Sequence, residues 1–152
     1  MTSYLGHGHV SIEDVVISNV SMANCAKPLE VLESSVERAT IKDVTIENVV
    51  AEVYAFVRMR CENEGTVSNI VLKNWRVKLT DGPAPITERD VERHGDVWFT
   101  ATNVKGLRLE NFAVSDEEGY LCAWRDGVFS FDGCTTELVG ATVNGENYKV
   151  NE

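Results

Sequence analysis

Two arginines one residue apart are the side chains with the most to offer chemically. In Tyr54-Ala-Phe-Val-Arg-Met-Arg-Cys61, strand alternation puts Ala55, Val57, Met59 and Cys61 on one side and Tyr54, Phe56, Arg58 and Arg60 on the other. Planar guanidinium groups sharing a face can hold carboxylates in bidentate fashion. Aromatic rings beside them, with Trp98 and Trp124, can stack on the apolar faces of sugars. The same arginines can instead pair with Glu30, Glu33, Glu62 or Glu64, and the same rings can fill a core; the sequence leaves both readings open. A second group is acidic: Glu88, Asp90, Glu92 and Asp96 lie close together with His94 between them. Hydrolysis of a glycosidic bond needs two carboxyls roughly 5 to 10 Å apart, one of them kept protonated. This segment supplies the residue types, as a solvated acidic loop also would. His7 and His9 flank a glycine near the start of the chain, where a disordered terminus is the alternative to catalysis; the catalytic residues stay open, with His7 and Asp96 as the candidates. No Ser-His-Asp, P-loop or metal-ligand spacing is present.

The elements that must position these groups announce themselves as a repeat. Four segments share one pattern: Ile12 to Met22, Ile41 to Ala51, Val67 to Val77 and Val104 to Val114, each with an asparagine at the same place (Asn19, Asn48, Asn74, Asn111). Four residues before the asparagine stand Val15, Val44, Ile70 and Leu107; two before it stand Ile17, Ile46, Leu72 and Leu109. The first and third residues after it are apolar in every copy. A weaker fifth copy centres on Gly140, with Leu138, Ala141 and Val143 in the corresponding places. The asparagines are 29, 26 and 37 residues apart, and Gly140 follows Asn111 by 29.

Apolar residues in alternation indicate strands, and the change of phase at the asparagine indicates a bend there. Asparagine tolerates the left-handed backbone and bonds locally, and stacked copies can pass amide hydrogen bonds up a ladder. The pattern predicts an all-β chain: a right-handed parallel β-helix of about five coils with an Asn ladder through Asn19, Asn48, Asn74 and Asn111. At roughly 4.8 Å per coil it would stand about 24 Å tall. A third strand set is expected at Leu29 to Glu33, Tyr54 to Cys61, Asp96 to Ala101, and either Leu121 to Trp124 or Gly127 to Phe131. The extra length in the longest interval, residues 80–95, reads as an inserted loop overhanging the face of Arg58 and Arg60.

With 152 residues the chain is expected to form a single β-helix domain over 1–152. Fourteen Lys and Arg against 24 Asp and Glu give a net charge of −10, so its field repels nucleic acid and anionic lipid. No apolar run approaches the roughly 18 residues of a membrane span, and the N-terminus lacks the pattern of a signal peptide. Neither nucleic acid nor membrane is an expected partner. Cys25, Cys61, Cys122 and Cys134 have no CxxC spacing and read as buried free thiols.

The strand Arg58-Met59-Arg60 followed by Gly65-Thr66-Val67-Ser68-Asn69-Ile70-Val71-Leu72-Lys73-Asn74 resembles the polygalacturonase group, family 28 of the glycoside hydrolases. There an Arg-Ile-Lys strand carries substrate-binding side chains and precedes Val-x-Asn-Ile-x-x-x-Asn. Gly6-His7-Gly8 is similar to the family's Gly-His-Gly, whose histidine sits in the catalytic groove. The resemblance implies a pectin-active type of fold and an acidic polysaccharide as partner. It implies substrate contacts at Arg58 and Arg60, to which the stacking reading adds Tyr54 and Trp98, and an extracellular or periplasmic location. It also implies that the chain corresponds to the C-terminal coils of a longer β-helix and is incomplete as a catalyst, because the family's carboxylate elements precede Gly-His-Gly and only five residues precede Gly6. No cofactor is expected. Asp116, Glu117, Glu118 and Asp126 carry the oxygens that Ca²⁺ needs, as in pectate lyases of this fold, but without alternating ligands they read as a solvated turn. A non-catalytic solenoid, binding saccharide or associating with copies of itself through an exposed end, is the alternative.

Overall fold

The computed structural model describes residues 10–33, 39–64, 66–81, 97–120 and 127–149. His7, Asp96, Trp124, Cys122, Asp126 and residues 82–95 of the expected loop lie outside the described residues.

Each repeat forms one turn of a β-solenoid. The first turn contains β1 (Val10–Cys25) and β2 (Glu30–Glu33), the second β3 (Ala39–Val53) and β4 (Val57–Cys61). The third contains β5 (Val67–Leu79) and β6 (Val97–Thr102), the fourth β7 (Lys105–Ser115) and β8 (Gly127–Asp132). A shortened fifth is made of β9 (Thr136–Val139) and β10 (Thr142–Val143), after which β11 (Glu146–Asn147) folds back antiparallel on β10. One sheet stacks β1-β3-β5-β7-β10, with β9 also beside β7, and the other stacks β2-β4-β6-β8. All of these pairings are parallel. The last strand of the second sheet is the Gly127 segment.

The register follows the repeat column by column. Val15, Val44, Ile70 and Leu107 are paired neighbours, as are Ile17, Ile46, Leu72, Leu109 and Leu138. At the bend, Asn19, Asn48, Asn74 and Asn111 have φ of +59°, +56°, +54° and +50°. Each amide donates to the oxygen of the asparagine one turn earlier: Asn48 to Asn19 at 3.4 Å, Asn74 to Asn48 and Asn111 to Asn74 at 3.1 Å. In the fifth copy a Cβ on Gly140 would lie 3.0 Å from Asn111 Oδ1. The ladder's own oxygen occupies that space, so glycine ends it.

A second bend, absent from the sequence expectation, runs five residues ahead of the first. Asp14, Asp43, Asn69 and Gly106 all have positive φ, and Asn69 Nδ2 donates to Asp43 Oδ1 at 2.9 Å. This ladder also closes on glycine, since a Cβ on Gly106 would meet Asn69 Oδ1 at 2.8 Å. Strands β3 and β5 are therefore each three short straight segments joined at two left-handed corners, and β1 has a third such residue at Asn24.

The core changes character along the axis. The second turn packs mainly aliphatic residues such as Val44, Val49, Ala51 and Met59, whereas the third and fourth enclose Trp75, Phe99, Phe112 and Phe129. Trp75 stacks on Phe112 at 5.4 Å between ring centroids, and Phe99 sits 5.9 Å from Phe112 and 5.6 Å from Phe129. The buried indole nitrogen of Trp75 donates to Ile46 O at 2.9 Å. Phe56, expected outside, is only 2 % exposed. The strand begins at Val57, so alternation does not reach back to Phe56, which turns inward at the β3–β4 turn beneath Lys27 and Arg58.

Replacing Asn74 tests the corner. Asn74→Ala should cost about 2–3 kcal/mol by combining left-handed strain with lost ladder bonds. Asn74→Gly, which keeps the bend, should cost only about 1 kcal/mol; urea unfolding midpoints measure both, and equal losses would show that the bend is not the cause. Burial pushes the Cys61 thiol up to about 12, with help from the Glu33 carboxylate and Cys134. Iodoacetamide at pH 8 should therefore label Cys61 only in unfolded protein, as read by peptide mass spectrometry.

Candidate functional site

The outer face of the second sheet is where the sequence places its arginines. Alternation in β4 buries Val57, Met59 and Cys61 and turns Arg58 and Arg60 outward, as read. The register then decides what each arginine meets. Arg58 lies between Glu30 of β2 and Thr100 of β6, and Arg60 between Leu32 and Thr102. Arg58 forms an ion pair with Glu30 Oε1, and Lys27 reaches the same oxygen at 3.3 Å. Burial works against the Glu30 charge, but the hydrogen bond and charge of Arg58, with Lys27, outweigh it and hold the carboxyl below its ordinary range. Arg58 is thus neutralised within the fold. A carboxyl held ionised in this way is also unsuited to general-acid work.

Arg60 is different: its side chain is 62 % exposed, and Glu62 is 3.9 Å away. Tyr54 is half-buried in the turn before β4. Trp98, expected on the sugar-facing surface, is fully buried, and its indole nitrogen donates to Ala55 O of the preceding turn at 2.8 Å. Alternation gives its direction from β6, but the neighbouring 54–56 turn takes it up as cover. Of Arg58, Arg60, Tyr54 and Trp98, the structure leaves Arg60 as the one open cation, and the four do not converge.

A concavity lies instead on the outside of the asparagine corner. There the two segments flanking the bend form a shallow groove of about 570 Å³ along the solenoid axis, lined by Asn48, Val50, Asn74, Arg76, Asn111 and Ala113. Two residues past the bend, Val50, Arg76 and Ala113 stack in one outward column. Val50 is 55 % exposed and supplies an apolar patch. Arg76 is exposed, and no carboxylate among the described residues pairs with it. The column just before the bend carries Glu47, Lys73 and Glu110. Its charges engage each other: Lys73 meets Glu110 at 3.5 Å, and Arg108 meets Glu110 at 3.1 Å and Glu137 at 2.8 Å. The groove therefore offers amide edges, a small apolar wall and one uncommitted guanidinium.

A second concavity of about 520 Å³ lies by Ser115, Asp116, Glu117, Thr142 and Asn144. Asp116 is buried, takes a hydrogen bond from Tyr120 N at 2.6 Å, and donates its own N–H to Asn144 Oδ1 at 2.7 Å. Among the described residues no three His, Cys, Asp or Glu side chains are grouped as a metal ion requires.

No family model, curated protein or solved structure matches the chain. The likeness to polygalacturonases rests on the quoted residues alone.

The Glu30–Arg58 pair makes stability depend on pH with a definite sign. Because the folded carboxyl titrates below the ordinary carboxylate range, its contribution is complete above that range and is lost as pH falls through the folded value. Arg58→Ala should cost about 1 kcal/mol at pH 7, and the gap from wild type should narrow as pH falls below the ordinary carboxylate range. Chemical denaturation from pH 7 down through the acid range checks this, and a gap that does not narrow as pH falls would assign the loss to packing on Phe56.

Proposed function

We propose that this chain is a polysaccharide-binding β-solenoid that holds an acidic, uronate-bearing polymer along the groove beside its asparagine ladder. Arg76 anchors a carboxylate, and Arg60 adds a weaker contact on the neighbouring face. One observation carries the reading: in a molecule of net charge −10, the exposed Arg76 guanidinium has no carboxylate partner among the described residues and stands in a concave surface that runs along the axis. Cations in such a protein are ordinarily used up by nearby carboxylates, as Arg58 and Arg108 are. A groove lined by amides and short apolar side chains suits a ribbon of hydroxyls with apolar ring faces. Its direction along the stack suits an extended polymer more than a compact small molecule.

The polygalacturonase-like strand supports kinship with enzymes that act on the same class of polymer, and such a polymer places the protein outside the cytoplasm. Glu30, the carboxylate opposite Arg58, is held ionised and is unsuited to the general-acid part of hydrolysis, so the reading is of binding rather than turnover.

Titration of oligogalacturonate against the wild type, Arg76→Ala and Arg60→Ala, with reducing ends assayed in parallel, tests the proposal. Loss of a charge-assisted hydrogen bond should weaken binding by about tenfold or more in Arg76→Ala, with a smaller effect in Arg60→Ala. Added salt should weaken wild-type binding. Unchanged affinity in Arg76→Ala would overturn the groove, and release of reducing ends that Asp96→Asn abolishes would establish a hydrolase instead.

A further inference from the structure

Strand β5 turns a second cation outward beyond the asparagine corner. Two residues past Arg76, the alternation that buries Trp75, Val77 and Leu79 exposes Lys78. The register places Lys78 between Glu52 of β3 and Ser115 of β7. No carboxylate among the described residues pairs with it, Glu52 included. Arg76 and Lys78 thus stand on one side of one strand, with Cα positions about 7 Å apart at the ordinary rise.

These two cations form one wall of a trough. Its floor is the outward side of β7, where the small side chains Ala113 and Ser115 lie in register with Arg76 and Lys78. Its other wall belongs to the last turn of the solenoid. There Thr142 pairs with Ala113, and Asn144 lines the same concavity as Ser115. Asn144 is held on both sides: its N–H donates to Val114 O at 2.9 Å, and its Oδ1 accepts from Asp116 N at 2.7 Å. Ala113 lines both the corner groove and the concavity beyond it. The two are therefore one surface, which follows the axis past the asparagines and then turns along β7. Beyond Ser115 it becomes acidic, with Glu117 exposed.

We propose that this second arm is a subsite of the polysaccharide groove, in which Lys78 takes a second carboxylate of the ligand. The inference rests on the reading of the corner groove as a uronate site anchored by Arg76, and it narrows the ligand to a segment with two anionic groups, one for each cation. A floor made of one methyl and one hydroxymethyl group leaves room for a sugar ring between the cations and Thr142. The hydroxyls of Ser115 and Thr142 can each donate to or accept from those of the sugar. The two cations divide the work: the planar guanidinium of Arg76 fixes one carboxylate in bidentate geometry, and the ammonium of Lys78, on its flexible stem, follows the other over a range of positions. Glu117 repels a further carboxylate, so the arm holds one charged unit.

Two ligands of equal length test this: trigalacturonate, and the same trimer with all but one carboxylate methyl-esterified. Each is titrated against the wild type, Lys78→Ala, Ser115→Phe and Arg76→Ala, with thermal melts to check that the outward substitutions leave the fold intact. The wild type should bind the fully acidic trimer more tightly. Lys78→Ala should weaken that binding by about fivefold and binding of the mono-acid trimer by less than about twofold. Ser115→Phe, which fills the arm but keeps both cations, should also weaken the fully acidic trimer more than the mono-acid one; if it lowers the melting temperature, Lys78→Ala decides alone. Equal weakening of both ligands by Lys78→Ala would mean that the two cations share one carboxylate, and would overturn the inference. Binding that Arg76→Ala alone weakens would overturn the second arm and leave the corner groove standing. Binding that none of the three substitutions changes would overturn both.

Discussion

Everything in this molecule hangs on the left-handed turn of the backbone at fixed columns. A straight parallel strand can slip past its neighbour by two residues and lose little. A strand bent at Asp43 and again at Asn48 fits its neighbour only when both corners coincide. The asparagine amides, each bonded to the one below, then lock the alignment from outside while the apolar columns lock it from inside. Length varies where it does no harm. The 37-residue interval between Asn74 and Asn111 takes its excess between β5 and β6, after the corners are passed, and the register from β5 to β7 is undisturbed.

That constraint explains why the coil architecture was legible in a single sequence. Corner residues are nearly unique in tolerating positive φ, so their spacing shows, and the columns on either side follow by alternation. The second corner was hidden because its occupants differ: Asp14, Asp43, Asn69 and Gly106 share a conformation but not a name. Alternation misled at Phe56, where the strand starts one residue later, and the sugar-stacking reading misled at Trp98, whose ring is covered by a neighbouring turn. The arginines teach a further lesson. Their direction came from their own strand, but their availability depends on residues 26 to 37 positions away. Arg58 meets Glu30, whereas Arg76 meets Val50 and Ala113. Once the coil interval is known, that comparison can be made on paper, and it points to Arg76, which the strand-by-strand reading passed over.

Charge is distributed by the same stacking. Lys42 bonds to Glu13 across the first two turns, Lys73 to Glu110 across the next, and Arg108 to Glu137 beyond them. These pairs are exposed and contribute little individually. Their effect is to commit several outward cations to the excess of carboxylates, whereas Arg76 has no such partner among the described residues. The aromatic cluster lies inside the same corner: Trp75, which also lines the groove, stacks on the buried Phe112.

Glycine at Gly106 and Gly140 gives the stack a grammar with a full stop. A gene of this kind can grow by duplicating an interior repeat, since a new asparagine coil slots between two others with both its faces satisfied. Copying the last repeat would interrupt the amide chain with a residue that has nothing to pass on. Lineages descended from such a chain would accordingly differ in the number of middle turns while retaining the same final one.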